Sequence, residues 1–176
     1  MTASPASRRD RAATTVDEVD LLVAAWRAER PDVDVAPLEV FSRVSRLAVL
    51  ADRERRAAFA SHGLEPWSFD VLAALRRAGV PYALSPSALI RATLVTSATM
   101  THRIDRLEQA GLVSRGPDPD DRRGVRVALT TAGRAHVDAA LADLVAAEES
   151  LLAGLPAADQ ANLAALLRRL LHPLES

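Results

Sequence analysis

The chain contains no cysteine. That excludes disulfides, thiolate catalysis, cysteine-based redox sensing and Cys-type zinc sites. Lysine is absent as well, so all 22 basic residues are arginine. The arginines are spread over the whole chain, which points to codon preference in a GC-rich genome before it points to phosphate chemistry. Aromatic residues make up only 3%, so Leu, Ala and Val must do most of the packing. Long apolar runs are missing too. The uncharged stretch through Val80–Ile90 is short and holds two prolines. No transmembrane span or secretory signal fits, and the default expectation is a cytoplasmic protein with no membrane partner. Enzyme signatures are lacking: there is no Gly-x-Ser-x-Gly and no Gly-rich phosphate loop. The four histidines, His62, His102, His136 and His172, have no metal-ligand spacing. Asp118, Asp120 and Asp121 cluster without the further ligands of a calcium loop and read as a solvated turn. No catalytic residue, metal site or cofactor is expected.

What is present is 176 residues, 49% of them hydrophobic, enough for one domain or one compact two-lobed unit with a sizeable core. The Ala- and Leu-rich composition reads as mostly helical. Net charge is −1, yet its distribution is uneven. Arg91 to Arg134 carries eight arginines against five acids, leaving 14 arginines and 18 acids elsewhere. The middle of the chain is therefore the positive part.

Residues 1–15 are small, polar or charged and read as a disordered tail. A helix is predicted from Asp17 to about Arg30, with Val19, Leu22, Val23 and Trp26 on its apolar face. After the connector Pro31–Pro37 a long helix spans Leu38–Ser61. Its buried stripe is Val40, Phe41, Val44, Leu47, Ala48 and Ala51, and Gly63 ends it. Glu65-Pro66 opens a third helix with core residues Phe69, Leu72, Ala73 and Leu75, closed by Gly79. Tyr82–Leu84 is too short for more than an edge strand. Ser85-Pro86 caps a short helix to about Ala92, and Thr96 or Ser97 caps the next, which runs to Gln109. Leu112–Arg115 and Val125–Leu129 alternate as strands do, around a charged hairpin tip. Thr130 or Thr131 caps a long helix to about Leu152. The last helix, Ala157–Leu171, aligns Leu163, Leu166, Leu167, Leu170 and Leu171 on one face. The outer helices hold more apolar surface than the central lobe can cover. They either pack on each other or interleave with a second chain, and the second arrangement is favoured.

Short helix, turn, helix and an Arg-tipped hairpin, in that order, make a winged helix-turn-helix. The predicted class is thus mainly α with a small β-hairpin wing, flanked by a helical dimerisation region from the N- and C-terminal helices. Within Thr96–Gln109, Met100, Ile104 and Leu107 form a buried face. Ser97, Thr99, Thr101 and His102 lie elsewhere near its N-terminus, where small hydroxyls and an imidazole can reach base edges and phosphates in a major groove. Arg106 follows on the same helix. Arg122 and Arg123, on a narrow loop, suit a minor groove. Taken one at a time, such residues cap helices and solvate turns; together, in this order, they predict double-stranded DNA as a partner. A protein-interaction module would explain the outer helices but not the Arg-tipped wing.

Thr99–Glu108, Gly111-Leu112-Val113, Asp118–Arg123, Leu129-Thr130 and Gly133-Arg134 resemble the MarR family of regulators over about Leu64 to Leu171. The resemblance implies a homodimer with its terminal helices at the interface and one recognition helix per subunit on a palindromic operator. It implies repression as the default, with small-molecule release in many members. In such wings the second arginine, here Arg123, enters the minor groove and Asp121 braces it. The organisation implied is a tail over 1–15, N-terminal helices over 16–62 for dimerisation and one wall of a ligand pocket, the DNA-binding domain over 63–130, and dimerisation helices over 131–176. The chain departs from the family pattern at two positions. His102 stands where arginine is usual, and Arg103 where an apolar residue is usual. Arg103 borders the buried stripe, and a charge there needs a partner. Asp70 is the expected partner, with Arg115 able to join. This set is similar to a branch of the family that responds to urate and to organic acids such as aconitate. Trp26, Asp70, Arg103 and Arg115 match its four ligand-binding roles. By that resemblance a small anionic ligand competes with Asp70 for the arginines through charge-assisted hydrogen bonds. A fixed Asp70–Arg103 salt bridge that only holds the helix, with Trp26 in the core and no ligand response, uses the same residues.

Overall fold

The computed structural model describes residues 16–119 and 124–174. The expected tail, 1–15, lies outside them. The described chain divides into two compact units, one ending at Leu50 and one beginning at Ala51.

In the first unit, α1 (Glu18–Glu29) starts at Asp17, whose carboxylate accepts the backbone N–H groups of Val19 and Asp20 at 2.8 and 2.9 Å. Asp20 returns the bond to the Asp17 N–H at 2.9 Å, completing a capping box that satisfies the exposed donors of the first turn. Val19, Val23 and Val35 form a small core with Leu38. Arg43 donates to both Asp17 and Asp20, at 2.8 and 2.6 Å. The Arg43 guanidinium, followed by the Asp20 amide, holds the Asp17 carboxyl at about 2. Helix α2 (Ala36–Ala60) begins two residues before the predicted Leu38. Pro37 sits in its first turn, where the missing N–H would have had no helical partner. The predicted stripe on α2 is corrected: Val40, Phe41, Val44, Leu47 and Ala48 are exposed, and so are Leu22 and Trp26 on α1. Helical spacing identifies an apolar face, but it does not say what covers that face.

The second unit takes the last turns of α2, where Ala58 and Phe59 are its buried residues. Helix α3 (Pro66–Arg77) is its centre, buried on nearly every side with Phe69, Val71, Leu72 and Leu75. The Phe59 and Phe69 rings stack 4.0 Å apart. Strand β1 (Ala83–Leu84) is an edge, as expected. Ser85 caps α4 (Pro86–Thr93), and Thr96 caps α5 (Ser97–Gln109). Strands β2 (Val113–Pro117) and β3 (Val125–Leu129) pair antiparallel, and the sheet order is β1-β3-β2. Strand β2 extends two residues beyond the predicted Arg115. Pro117 is tolerated there because β2 is an edge strand and one side needs no donor. Helix α6 (Thr131–Leu152) and helix α7 (Ala157–Leu171) follow, then a short 3-10 turn.

Thr130 joins the sheet to α6. Its N–H donates to Leu112 O at 3.1 Å, its hydroxyl donates to Gly111 O at 2.7 Å, and its own Oγ1 accepts the Gly133 N–H at 2.9 Å. The core of this unit contains Met100, Ile104, Leu107 and Val127, so the faces predicted to be buried on α3 and α5 are buried. Helix α7 has no buried residue. Leu166, Leu170 and Leu171 are exposed, with Leu163 and Leu167 half-buried. Among the described residues no helix is long and apolar enough to cross a membrane.

Candidate nucleic-acid interface

Met100, Ile104 and Leu107 anchor α5 in the core and thereby turn the opposite edge of its first two turns outward. Ser97, Thr99, Thr101 and His102 are all exposed on that edge. Two of the hydroxyls are also engaged locally. Thr99 Oγ1 lies 2.9 Å from the cap oxygen of Thr96, and Thr101 Oγ1 donates to Ser97 O at 3.1 Å. Each keeps lone pairs and a methyl for an incoming partner. The turn before α5 passes through Leu94, which adopts a left-handed φ of 53° and is 92% exposed. A leucine in that conformation is unusual, and its side chain projects outward beside the helix N-terminus.

The hairpin follows at once. Asp118 N–H donates to Gly124 O at 3.0 Å, and Arg126 pairs with Asp118 at 3.0 Å, holding the strands together at the base of the tip. Arg122, Arg123 and Asp121 lie outside the described residues.

Arg106 is exposed, as a DNA-contacting residue must be, but it is not idle. Its guanidinium lies 5.0 Å from the Trp67 ring centroid and donates to Glu65 at 3.2 Å. Arg103, one turn earlier, lies 5.6 Å from the same ring. The expected Asp70–Arg103 pair is corrected: Asp70 accepts from Arg55 of α2 at 2.5 Å. The reason is geometric. Arg103 and Arg106 are three residues apart and share one helix face, and that face meets Trp67 in the first turn of α3. Asp70 stands one turn further along α3, within reach of Arg55. Asp70, Arg55 and Arg77 instead line a cavity of about 240 Å³ with Ala92, Thr93 and Leu94.

Arg115 is also engaged otherwise than expected. It donates to Glu108 at 2.7 Å and to Asp105, and its backbone N–H donates to Glu108 at 3.0 Å. This fork fastens β2 to α5, and the paired carboxylates raise the Arg115 pKa above its ordinary value. Trp26 lies on α1 in the first unit. Sequence reasoning missed Glu65, Trp67, Arg55, Asp105 and Glu108. Asp105 and Glu108 carry a partial signal, because three-residue spacing puts two carboxylates on one helix face. The partnership of Trp67 with α5 had none.

A sequence model of the MarR family matches residues 62–124, the stretch from the end of α2 to the wing. The chain is 41% identical over 152 residues to the HTH-type transcriptional regulator PecS of Dickeya dadantii, covering 86% of this chain and 92% of PecS. Among solved structures it resembles Bordetella bronchiseptica BpsR, whose DNA binding is regulated by 6-hydroxynicotinic acid, with 32% identity and a TM-score of 0.55 over 73% of this chain and 98% of that one. It also resembles a mutant of Escherichia coli MarR complexed with operator DNA, with 28% identity and a TM-score of 0.62 over 78% and 96% of the two chains. These relatives are regulators rather than enzymes. With a winged helix-turn-helix in place and PecS matched over most of its length, the chain belongs to the MarR family of DNA-binding transcription regulators.

Proposed function

We propose that the protein is a repressor that binds a palindromic operator as a homodimer and is released by a small anionic metabolite, acting in the cytoplasm where its DNA lies. The observation that carries the DNA reading is the division of α5. Met100, Ile104 and Leu107 are sunk in the core, while Ser97, Thr99, Thr101 and His102 stand exposed at its N-terminal end with the hairpin directly after. These four residues and Arg106 are assigned to the major groove, and Arg122 and Arg123 to the minor groove. The homodimer is supported by α7, which buries nothing and exposes a leucine face, and by the uncovered apolar faces of α1 and α2. Two recognition helices related by a two-fold axis read a palindrome.

Binding to the DNA upstream of the protein's own gene, followed by fluorescence anisotropy across a salt series, tests this. A specific dimer prefers its site over shuffled DNA by about 10³-fold or more, and its affinity falls steeply as salt rises. Equal affinity for both DNAs overturns the regulator assignment.

For the ligand, an anion is proposed to engage Arg103 and Arg115, which lie against Trp67 and against Glu108 and Asp105 rather than against Asp70. Asp70 is already committed to Arg55, and Arg77 lines the same cavity as a second cation. Both Arg103 and Arg115 touch the recognition helix or its bracing, so a ligand that drew on them would act on the DNA-reading edge. BpsR is regulated by a carboxylic acid, the chemistry that arginine pairs recognise. Operator complexes titrated with urate and organic acids should dissociate, and Arg103→Ala protein should lose that response. An unchanged response in Arg103→Ala removes Arg103 from the site.

A further inference from the structure

Glu65, the N-cap of α3, and Trp67, in its first turn, meet the recognition helix at the edge of the core, where Trp67 packs against the buried cluster. The Trp67 Nε1–H donates to Glu65 Oε2 at 2.5 Å, and Arg106 Nη2 donates to the other carboxylate oxygen at the longer distance of 3.2 Å. The two arginines of α5, Arg103 and Arg106, share the Trp67 ring at 5.6 and 5.0 Å. Glu65 is thus tethered by a neutral donor on its own helix and would keep its position if Arg106 left. Arg106 and Glu65 are both about half exposed, so a phosphate and its counterions can reach the pair.

We propose that Glu65 and Trp67 are positioning residues for DNA binding: Trp67 is a rest that holds Arg103 and Arg106 at the face of α5, and Glu65 is a stand-in anion that Arg106 gives up for a DNA phosphate. This rests on the assignment of Arg106 to DNA made above. Exchange replaces one charge-assisted hydrogen bond with another, so the arginine stays paired in both states. The carboxylate left behind repels the phosphate backbone and opposes binding, whereas the ring keeps the guanidinium extended and favours it.

The two residues therefore act with opposite sign. In Glu65→Gln, operator affinity at low salt rises by about 3–10-fold, because no carboxylate is left to repel the phosphate backbone, and the log–log salt slope stays near the wild type's, since Arg106 meets the same phosphate in both. In Trp67→Leu, affinity falls, and Trp67→Phe, which keeps a ring but lacks the Nε1–H, lies between Trp67→Leu and wild type. Damage to the fold would weaken all three variants, so the gain in Glu65→Gln separates the exchange from it. The gain of Glu65→Gln vanishes in an Arg106→Ala background, because there is no guanidinium left to release. Arg106→Ala that weakens binding while Glu65→Gln gains nothing overturns the exchange alone. A gain that persists in Arg106→Ala overturns it too. Arg106→Ala with unaltered affinity and slope removes Arg106 from the DNA contact, and the exchange falls with that assignment.

Discussion

Alanine in place of Gly133 should destabilise this protein, although the residue sits inside a helix, where the same change usually helps. Gly133 is the third residue of α6 and is buried. In an open helix, Gly→Ala gains about 1 kcal/mol. Here a Cβ would lie 1.9 Å from Leu112 O and 2.8 Å from its carbonyl carbon. The obstacle is backbone, not the end of a flexible side chain. Leu112 O is also the acceptor for the Thr130 N–H at 3.1 Å, so moving it strains the bond that roots the wing on α6. Overpacking of this kind costs about 1–3 kcal/mol, occasionally more, and a weakened backbone hydrogen bond adds about 1 kcal/mol. After the helix-propensity gain, the net loss is about 1–3 kcal/mol. For a chain of this length each kcal/mol moves the melting temperature by about 2–4 °C, so the expected fall is about 2–12 °C. Melting followed by circular dichroism should be run at one fixed protomer concentration, since association shifts the midpoint. Gly154→Ala serves as the control: a Cβ there meets nothing within 4 Å and φ is not positive, so it should melt at or slightly above wild type. Gly133→Ala protein that melts at or above wild type would refute the close-approach argument.

Other outcomes follow from the same geometry. Leu166→Glu on α7 replaces a residue that is 58% exposed in the single chain, a change within about 0.5 kcal/mol for a monomer. For the proposed dimer it should halve the mass measured by light scattering, and a wild type that already runs as one 18.8 kDa chain would defeat that proposal. Asp17, held at about 2 chiefly by the Arg43 guanidinium, contributes stability that is fully present above its ordinary value of 3.8 and is lost as pH falls toward about 2. The melting difference between wild type and Asp17→Asn should accordingly shrink over that window, and a difference unchanged down to pH 2 would contradict the assignment. Arg115→Gln breaks two partly exposed ion pairs, so stability should change by only about 1 kcal/mol. Hydrogen exchange over residues 113–117 should nonetheless speed up, because Glu108 is no longer held to accept the Arg115 amide. Unchanged exchange would mean that the fork does not fasten the wing.

Local chemistry made most of this protein legible from its sequence. Asp17, Ser85, Thr96 and Thr130 each present a side-chain oxygen to amides that the helix cannot satisfy itself, so helix starts were written in single residues. Gly63, Gly79 and Gly111, all at positive φ, marked the stops for the same kind of local reason. The division of α5 into a core face and an outward edge followed from a 3.6-residue period and needed no tertiary information. Other features depend on what comes near in space. The stripe Val40–Leu47 has the right spacing for burial yet is exposed, because periodicity cannot name the surface that covers a helix. Asp70 and Arg103 have complementary charges and suitable separation in sequence. Packing nonetheless set Arg55 beside the carboxylate and Trp67 beside the guanidinium. Ion pairs between half-exposed side chains are worth about 1 kcal/mol or less, too little to dictate how helices dock. The partners are therefore chosen by the core, through Phe59, Phe69, Ile104 and Leu107, and the charges take whichever neighbours the packing brings.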